Sequence, residues 1–213
     1  LLDIDGLAVL PNGDLLISFS NNIATVAGLI GGPAGTSVDD SDIVRFTPSS
    51  MGSVTAGTFT FYFDGSDVGL TTDGADIDAI TLAPDGRLIV STFDSFSVAG
   101  LSGKDEDLIV FNATSLGSVT AGSFAMYFDG SDVGLATTTS EDVDAATITT
   151  TGTILLSTVG AFSVPGVTGA DEDVFEFLPA SLGNVTTGTY SMLLDLSLLG
   201  IDPTENVAAM ELP

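Results

Sequence analysis

The run Asp76-Ile77-Asp78-Ala79-Ile80-Thr81-Leu82-Ala83-Pro84-Asp85-Gly86-Arg87-Leu88-Ile89-Val90-Ser91-Thr92 reads as a strand, a tight turn and a second strand. Pro-Asp-Gly supplies the turn, and β-branched, apolar residues supply the flanks. The same opening stands at Asp3-Ile4-Asp5-Gly6-Leu7-Ala8-Val9-Leu10-Pro11-Asn12-Gly13 and at Asp142-Val143-Asp144-Ala145-Ala146-Thr147-Ile148. A worn copy, Asn206-Val207-Ala208-Ala209-Met210-Glu211-Leu212-Pro213, closes the sequence. Self-similarity at a fixed spacing sets the architecture before any local reading.

The second and third copies align at a step of 66 residues, pairing Asp76 with Asp142, Ser91 with Ser157, Asp107 with Asp173 and Asp129 with Asp195. This divides the chain into 1–75, 76–141 and 142–205, followed by an extra strand at 206–213. The first copy is lengthened by a Gly-rich insertion at about 28–40. Each copy holds four short segments, a to d, separated by Gly, Asp, Ser and Pro clusters. In the middle copy a is 77–83, b is 88–93, c is 107–112 and d is 122–128. Segment d alternates, with Phe124, Met126 and Phe128 on one side and Ala125 and Tyr127 on the other. No window has a helical period, so the fold class is all-β. Four antiparallel strands per repeated unit predict β-propeller-type blades.

The a–b hairpin with Pro84-Asp85-Gly86 and Pro11-Asn12-Gly13 resembles the first hairpin of NHL-type and gluconolactonase/regucalcin-like propellers. Copy three departs from it with Thr150-Thr151-Gly152. Units of the form Asp-Ala…Pro-Asp-Gly…Asp-Glu-Asp…Phe-Asp-Gly-Ser-Asp-Val-Gly-Leu also look like tandem repeats of large bacterial surface proteins. Three blades do not close a ring that typically needs four to eight. Completion is expected from a longer chain, from a second copy making a six-bladed ring, or from the terminal strand pairing with a neighbouring subunit, as in a filament. A three-sheet β-prism satisfies the same strand count.

With 29 acidic residues against Arg45, Arg87 and Lys104, the formal charge is −26. That excludes nucleic acid and anionic membranes as natural partners and favours cations. No apolar run approaches the roughly 20 residues of a membrane span. The start at Leu1, without a leader, is expected of a processed form or an excised segment. Zero cysteine removes disulfides and thiolate sites, and zero histidine removes the commonest general base and zinc ligand.

In up-and-down blades the b–c and d–a connections share one end, with a–b and c–d at the other. The b–c loops carry Asp39-Asp40-Ser41-Asp42, Asp105-Glu106-Asp107 and Asp171-Glu172-Asp173. The d–a loops carry Asp64 and Asp67 before Asp76 and Asp78, then Asp129 and Asp132 before Asp142 and Asp144. Nearly all the acid is therefore expected at one end, away from neutral c–d turns such as Thr114–Thr120. Converging carboxylates without His or Cys suit calcium, a hard cation taking six to eight oxygens. The candidate ligands are Asp64, Asp67, Asp76, Asp78, Asp105, Asp107, Asp129, Asp132, Asp142, Asp144, Asp171 and Asp173. The competing role is turn capping by Asp side chains. The third d–a loop, Asp195-Leu196-Ser197-Leu198, lacks the second Asp, and its site is expected to be weak or absent.

The lactonase-like resemblance implies a second function, a hydrolase with a metal held in the channel near Asp3/Asp5, Asp76/Asp78 and Asp142/Asp144. Recurrence of the same Asp in every copy argues for a fold role instead, since catalytic sets are asymmetric. No catalytic residue is assigned. Asn112-Ala113-Thr114 and Asn184-Val185-Thr186 match the glycan acceptor pattern, making Asn112 and Asn184 candidate acceptors on the side away from the acid. The recurring Phe61, Phe63, Phe96, Phe124, Phe128, Phe162 and Tyr190 are expected between sheets. The reading is an extracellular or cell-surface structural or adhesive module, stabilised by Ca²⁺ and joined to further blades or identical subunits. A carbohydrate- or protein-binding surface on the Ser/Thr loops is the third possibility.

Overall fold

The a–b hairpin is present in all three units, and its glycine explains how its sequence is allowed to vary. Gly13, Gly86 and Gly152 share a φ of about +86°, a left-handed conformation that side chains resist. In each turn the Gly N–H donates to the last carbonyl of segment a: Gly86 to Ala83 at 2.8 Å, Gly13 to Leu10 at 2.8 Å and Gly152 to Thr149 at 2.9 Å. Pro-Asp can therefore become Thr-Thr in unit three, provided the glycine stays.

A computed structural model describes residues 3–20, 22–135, 139–202 and 204–212. The expected start of the first unit at 1 and end of the extra strand at 213 lie outside these. The chain is all-β, with three four-stranded antiparallel sheets. Sheet 1 has the order β1 (Ile4–Val9), β2 (Leu15–Phe19), β5 (Ile43–Ser50), β6 (Ala56–Phe63). Sheet 2 has β7 (Ala79–Leu82), β8 (Leu88–Ser91), β11 (Leu108–Ser115), β12 (Ala121–Phe128). Sheet 3 has β13 (Ala145–Ile148), β14 (Ile154–Ser157), β17 (Val174–Ser181), β18 (Thr187–Leu194).

Each b–c connection carries a small extra hairpin that the four-segment reading missed. These are β3 (Ala24–Thr25) with β4 (Ser37–Val38), β9 (Phe96–Val98) with β10 (Leu101–Gly103), and β15 (Phe162–Val164) with β16 (Val167–Gly169). Phe-Ser-Val at 96–98 and 162–164 was the available signal. At Gly103 a Cβ would stand 2.5 Å from the Phe96 ring, so a side chain there would push the hairpin open.

Burial follows the gaps between sheets. Leu16, Ile43 and Phe63 of sheet 1 meet Val90, Ile109, Phe111 and Phe124 of sheet 2. Ile89, Leu108 and Phe128 of sheet 2 meet Ile154, Leu156, Phe175 and Phe177 of sheet 3. Edge-to-face ring pairs cross both gaps: Phe63–Phe111 at 5.1 Å and Phe128–Phe177 at 5.1 Å. The expected aromatic core is thus inter-sheet, with one exception. Phe61 faces outward from sheet 1, into a third cluster built with Ala24, Val26, Leu29 and Val38 of the insertion. The insertion also occupies the edge of β6, since Ile30 N–H donates to the Phe59 carbonyl and Phe61 N–H to the Ile30 carbonyl.

At the inner edge β7 contacts both β1 and β13. Residues 206–212 run beside them without forming a β-ladder. The Val207 N–H donates to the Asp171 carbonyl at 3.2 Å, repeating Ile77 to Asp40 at 3.0 Å and Val143 to Asp105 at 3.1 Å. Glu211 accepts from the Val9 N–H at 3.0 Å. The terminal segment therefore stands where the inner strand of a following unit would stand, and its far end reaches back to β1.

Candidate carboxylate site

The candidate aspartates separate into two groups with different chemistry. The first group closes turns. Asp64 Oδ1 accepts from Ser66 Oγ at 2.7 Å and the Asp67 N–H at 3.3 Å, and Asp129 does the same for Ser131 and Asp132 at 2.7 and 3.3 Å. Asp107 accepts from the Lys104 N–H at 2.9 Å and the Gly130 N–H at 3.0 Å. Asp173 accepts from the Ala170 N–H at 3.1 Å and the Leu196 N–H at 3.0 Å. Each of these carboxylates joins a b–c loop or a d–a loop to backbone donors. Asp195 still caps Ser197 and Leu198, so the third loop keeps its turn without the second Asp.

The neutral c–d turns are not remote from this acid, which corrects the expected separation by ends. The Asp64 N–H donates to Thr120 Oγ1 and the Thr120 N–H to Asp67 Oδ2, both at 2.9 Å. Asp129, Thr186 and Asp132 repeat the arrangement, also at 2.9 Å. The Gly117 N–H donates to the Tyr62 carbonyl at 2.8 Å, and the Gly183 N–H to the Tyr127 carbonyl at 2.9 Å. The long outer hairpin of the second and of the third unit leans onto the last strand of the unit before it, carrying its turn to the acidic loop. Asn184, in such a turn, is exposed and close to acid, whereas Asn112 lies half-buried in β11 and accepts from Arg87 Nη1 at 2.8 Å.

Sequence reasoning missed Thr120 and Thr186, although Gly-x-x-Thr recurs in each unit. Replacing Thr120 by Val removes a buried acceptor from the Asp64 N–H and is expected to cost about 1–3 kcal/mol in urea unfolding. The matching Thr55→Val, whose hydroxyl bonds only the Gly52 carbonyl of its own turn among the described residues, is expected to cost well under about 1 kcal/mol.

The second group gathers where the inner strands begin. Asp5, Asp76, Asp78, Asp142 and Asp144 sit within electrostatic reach of one another, bordered by Asp40, Asp105 and Asp171 of the b–c loops. Asp78 is 4% exposed, and no donor among the described residues reaches either of its oxygens. Asp142 and Asp144 are likewise buried, each with one oxygen lacking a donor. Asp144 Oδ2 accepts from Asn206 Nδ2 at 2.6 Å.

Burial is the first cause of the shifts here, and like charge adds to it. Burial, with Asp5 and Asp40 adjacent, pushes Asp76 up to about 8. Burial and Asp105 push Asp142 up to about 8, and burial pushes Asp144 up to about 7. Burial and Asp3 raise Asp5 to about 6. Asp78 lies well above the carboxylate range, from burial first and then from the charge of Asp142. A proton on one of Asp78 and Asp142 turns their contact into a hydrogen bond. Among the described residues, no three carboxylates are placed as a ready-made metal site.

Of the twelve candidate ligands, then, Asp76, Asp78, Asp142 and Asp144 come together, with Asp105 and Asp171 at their border. Asp64, Asp67, Asp107, Asp129, Asp132 and Asp173 serve turns. Comparison of the chain with protein-family models, with curated proteins and with solved structures gives no match.

Proposed function

We propose that this chain is a structural or adhesive module of β-propeller type, working at a cell surface or outside the cell. Its sheets are blades arranged about the β1–β7–β13 edge, and its inner carboxylates hold a divalent cation, calcium. The observation that carries this reading is Asp78, buried among four other aspartates, with no donor among the described residues on either oxygen. Crowded buried carboxylates are relieved by protons or by a cation. The all-oxygen donor set favours calcium, and weak sites of about 10⁻⁴–10⁻³ M suit extracellular modules. Binding requires the side chains of Asp78, Asp142 and Asp144 to turn toward one ion. Repetition of the aspartates from unit to unit supports a scaffold role over a catalytic one.

Calcium titration of the chelator-stripped protein tests this reading at neutral pH. Calcium at a hundred times its Kd is expected to add about 2.7 kcal/mol of stability. Asp78→Asn is expected to be more stable than the parent in chelator and to lose most of the calcium response. A parent melting temperature that ignores calcium would sink the cation assignment and leave protonation as the way the cluster is neutralised.

A further inference from the structure

The two gaps between sheets show what covers a sheet face; on the third face Leu155 and Val174 are buried, but its outer part repeats the pattern with none of the described residues over it. Phe63 and Phe128, the last residues of β6 and β12, are both 0% exposed, because the next sheet lies over them. The matching residue of β18, Leu194, is 44% exposed. Leu70 and Leu135, in the loops that follow, are 1% and 2% exposed, while the matching Ile201 is 43% exposed. Leu193, Leu198 and Leu199 extend this apolar surface.

The polar fittings recur as well. The Tyr62 and Tyr127 carbonyls each accept from a glycine N–H of the next unit's c–d turn, and the Asp64 and Asp129 N–H groups each donate to a threonine hydroxyl there. Leu193 and Asp195 present the same carbonyl and the same N–H, with no fourth four-stranded sheet among the described residues to meet them. Residues 206–212 already occupy the place of the inner segment of such a sheet, with the Val207 N–H in phase on Asp171.

What covers this face is constrained by the other end of the array. A second copy cannot dock through the outward face of its own sheet 1, because the insertion buries that face behind Ala24, Val26, Leu29 and Val38. Nor is the edge of its β6 open, since Ile30 is bonded there. The fitting partner is a unit like the second, with a short b–c hairpin and a Gly-x-x-Thr turn.

We propose that the open face of sheet 3 is the docking surface for the three outer strands of one more unit of this repeat, which pair onto 206–212. This deepens, and rests on, the reading of the chain as a blade module, but it does not depend on calcium. The incoming turn glycine donates to the Leu193 carbonyl, and its threonine hydroxyl accepts from the Asp195 N–H. Because Leu198 replaces the second loop aspartate, the threonine N–H has no carboxylate there and the contact is apolar instead.

The test is to extend the full chain after Pro213 with the sequence of residues 84–135, which continues the alignment of Leu212 with Leu82. The extended chain is expected to be a monomer that melts about 5 °C or more above the parent. Its binding of a hydrophobic dye should fall, and amide protection at 193–201 should rise. Leu194→Asp is expected to leave the unextended chain within about 1 °C of its parent and to abolish most of the gain in the extended one. The 84–135 peptide added in trans gives a second readout, protection of 193–201, should the extended chain be insoluble. No gain and no protection in either format overturns the proposal. So does a dimer of the unextended chain that protects 193–201, which would make a second copy the occupant. Loss of the calcium response with the gain intact removes the cation assignment alone.

Discussion

Raising the pH from about 5 to about 8 in the presence of chelator is expected to lower the melting temperature by about 10 °C. The direction is opposite to ordinary acid denaturation. Burial pushes Asp76 and Asp142 up to about 8, Asp144 to about 7 and Asp5 to about 6, from 3.8 for an unperturbed aspartate. Asp42 and Asp107, raised by burial to about 7 and about 6, act in the same sense. Between these folded values and the unfolded one, the native state binds more protons than the unfolded state. Stability therefore falls as pH rises through that window, and flattens below about pH 4, where both states are protonated. The formal charge of −26 adds repulsion of the same sign. Thermal melts at several pH values, with and without calcium, separate the two parts. The proposed cation should restore the high-pH loss, and Asp78→Asn should reduce the slope. A melting temperature that climbs steadily from pH 5 to 8 in chelator would show that the inner carboxyls are ionised and content in the fold.

Phe128→Ala is expected to cost about 3–5 kcal/mol, whereas Leu194→Ala at the equivalent position is expected to cost less than about 1 kcal/mol. Phe128 is fully buried and meets the Phe177 ring edge-to-face, so truncation leaves a cavity between sheets 2 and 3 that neither can collapse to fill. Leu194 has the same place in its strand but is nearly half exposed, and its loss leaves no cavity. Equilibrium urea unfolding of the two variants measures the difference directly. Similar losses at both sites would mean that the Leu194 side of the third sheet is covered in solution.

The sheets were readable because strand pattern and repeat agreed. Alternation in 122–128, and glycines held at Gly86 and Gly152 while their neighbours changed, fixed both strands and turns. The small hairpins were less visible, since three residues such as Phe96-Ser97-Val98 carry too little periodicity to stand out from a loop. The acidic loops were located, but their roles could not be divided from spacing alone. Asp64 and Asp78 are both aspartates near a glycine or alanine. One caps a turn from a loop, and the other is buried because three strand entrances meet around it. That meeting is a tertiary event with no local sequence mark. The placement of c–d turns against acid was missed for a related reason: an up-and-down diagram ignores the twist that swings outer strands across the neighbouring sheet.

The second and third units each lend a threonine to the loop before them. A loop such as Asp64–Asp67 is completed only when the following unit has arrived, so neighbouring units finish one another in sequence order. Isolated from its successor, a unit keeps its hairpins but leaves its last turn unlatched. Breathing motions should therefore begin at the loop of Asp195, the one awaiting a latch, and die away toward the first unit, as in chains whose cooperativity passes from neighbour to neighbour.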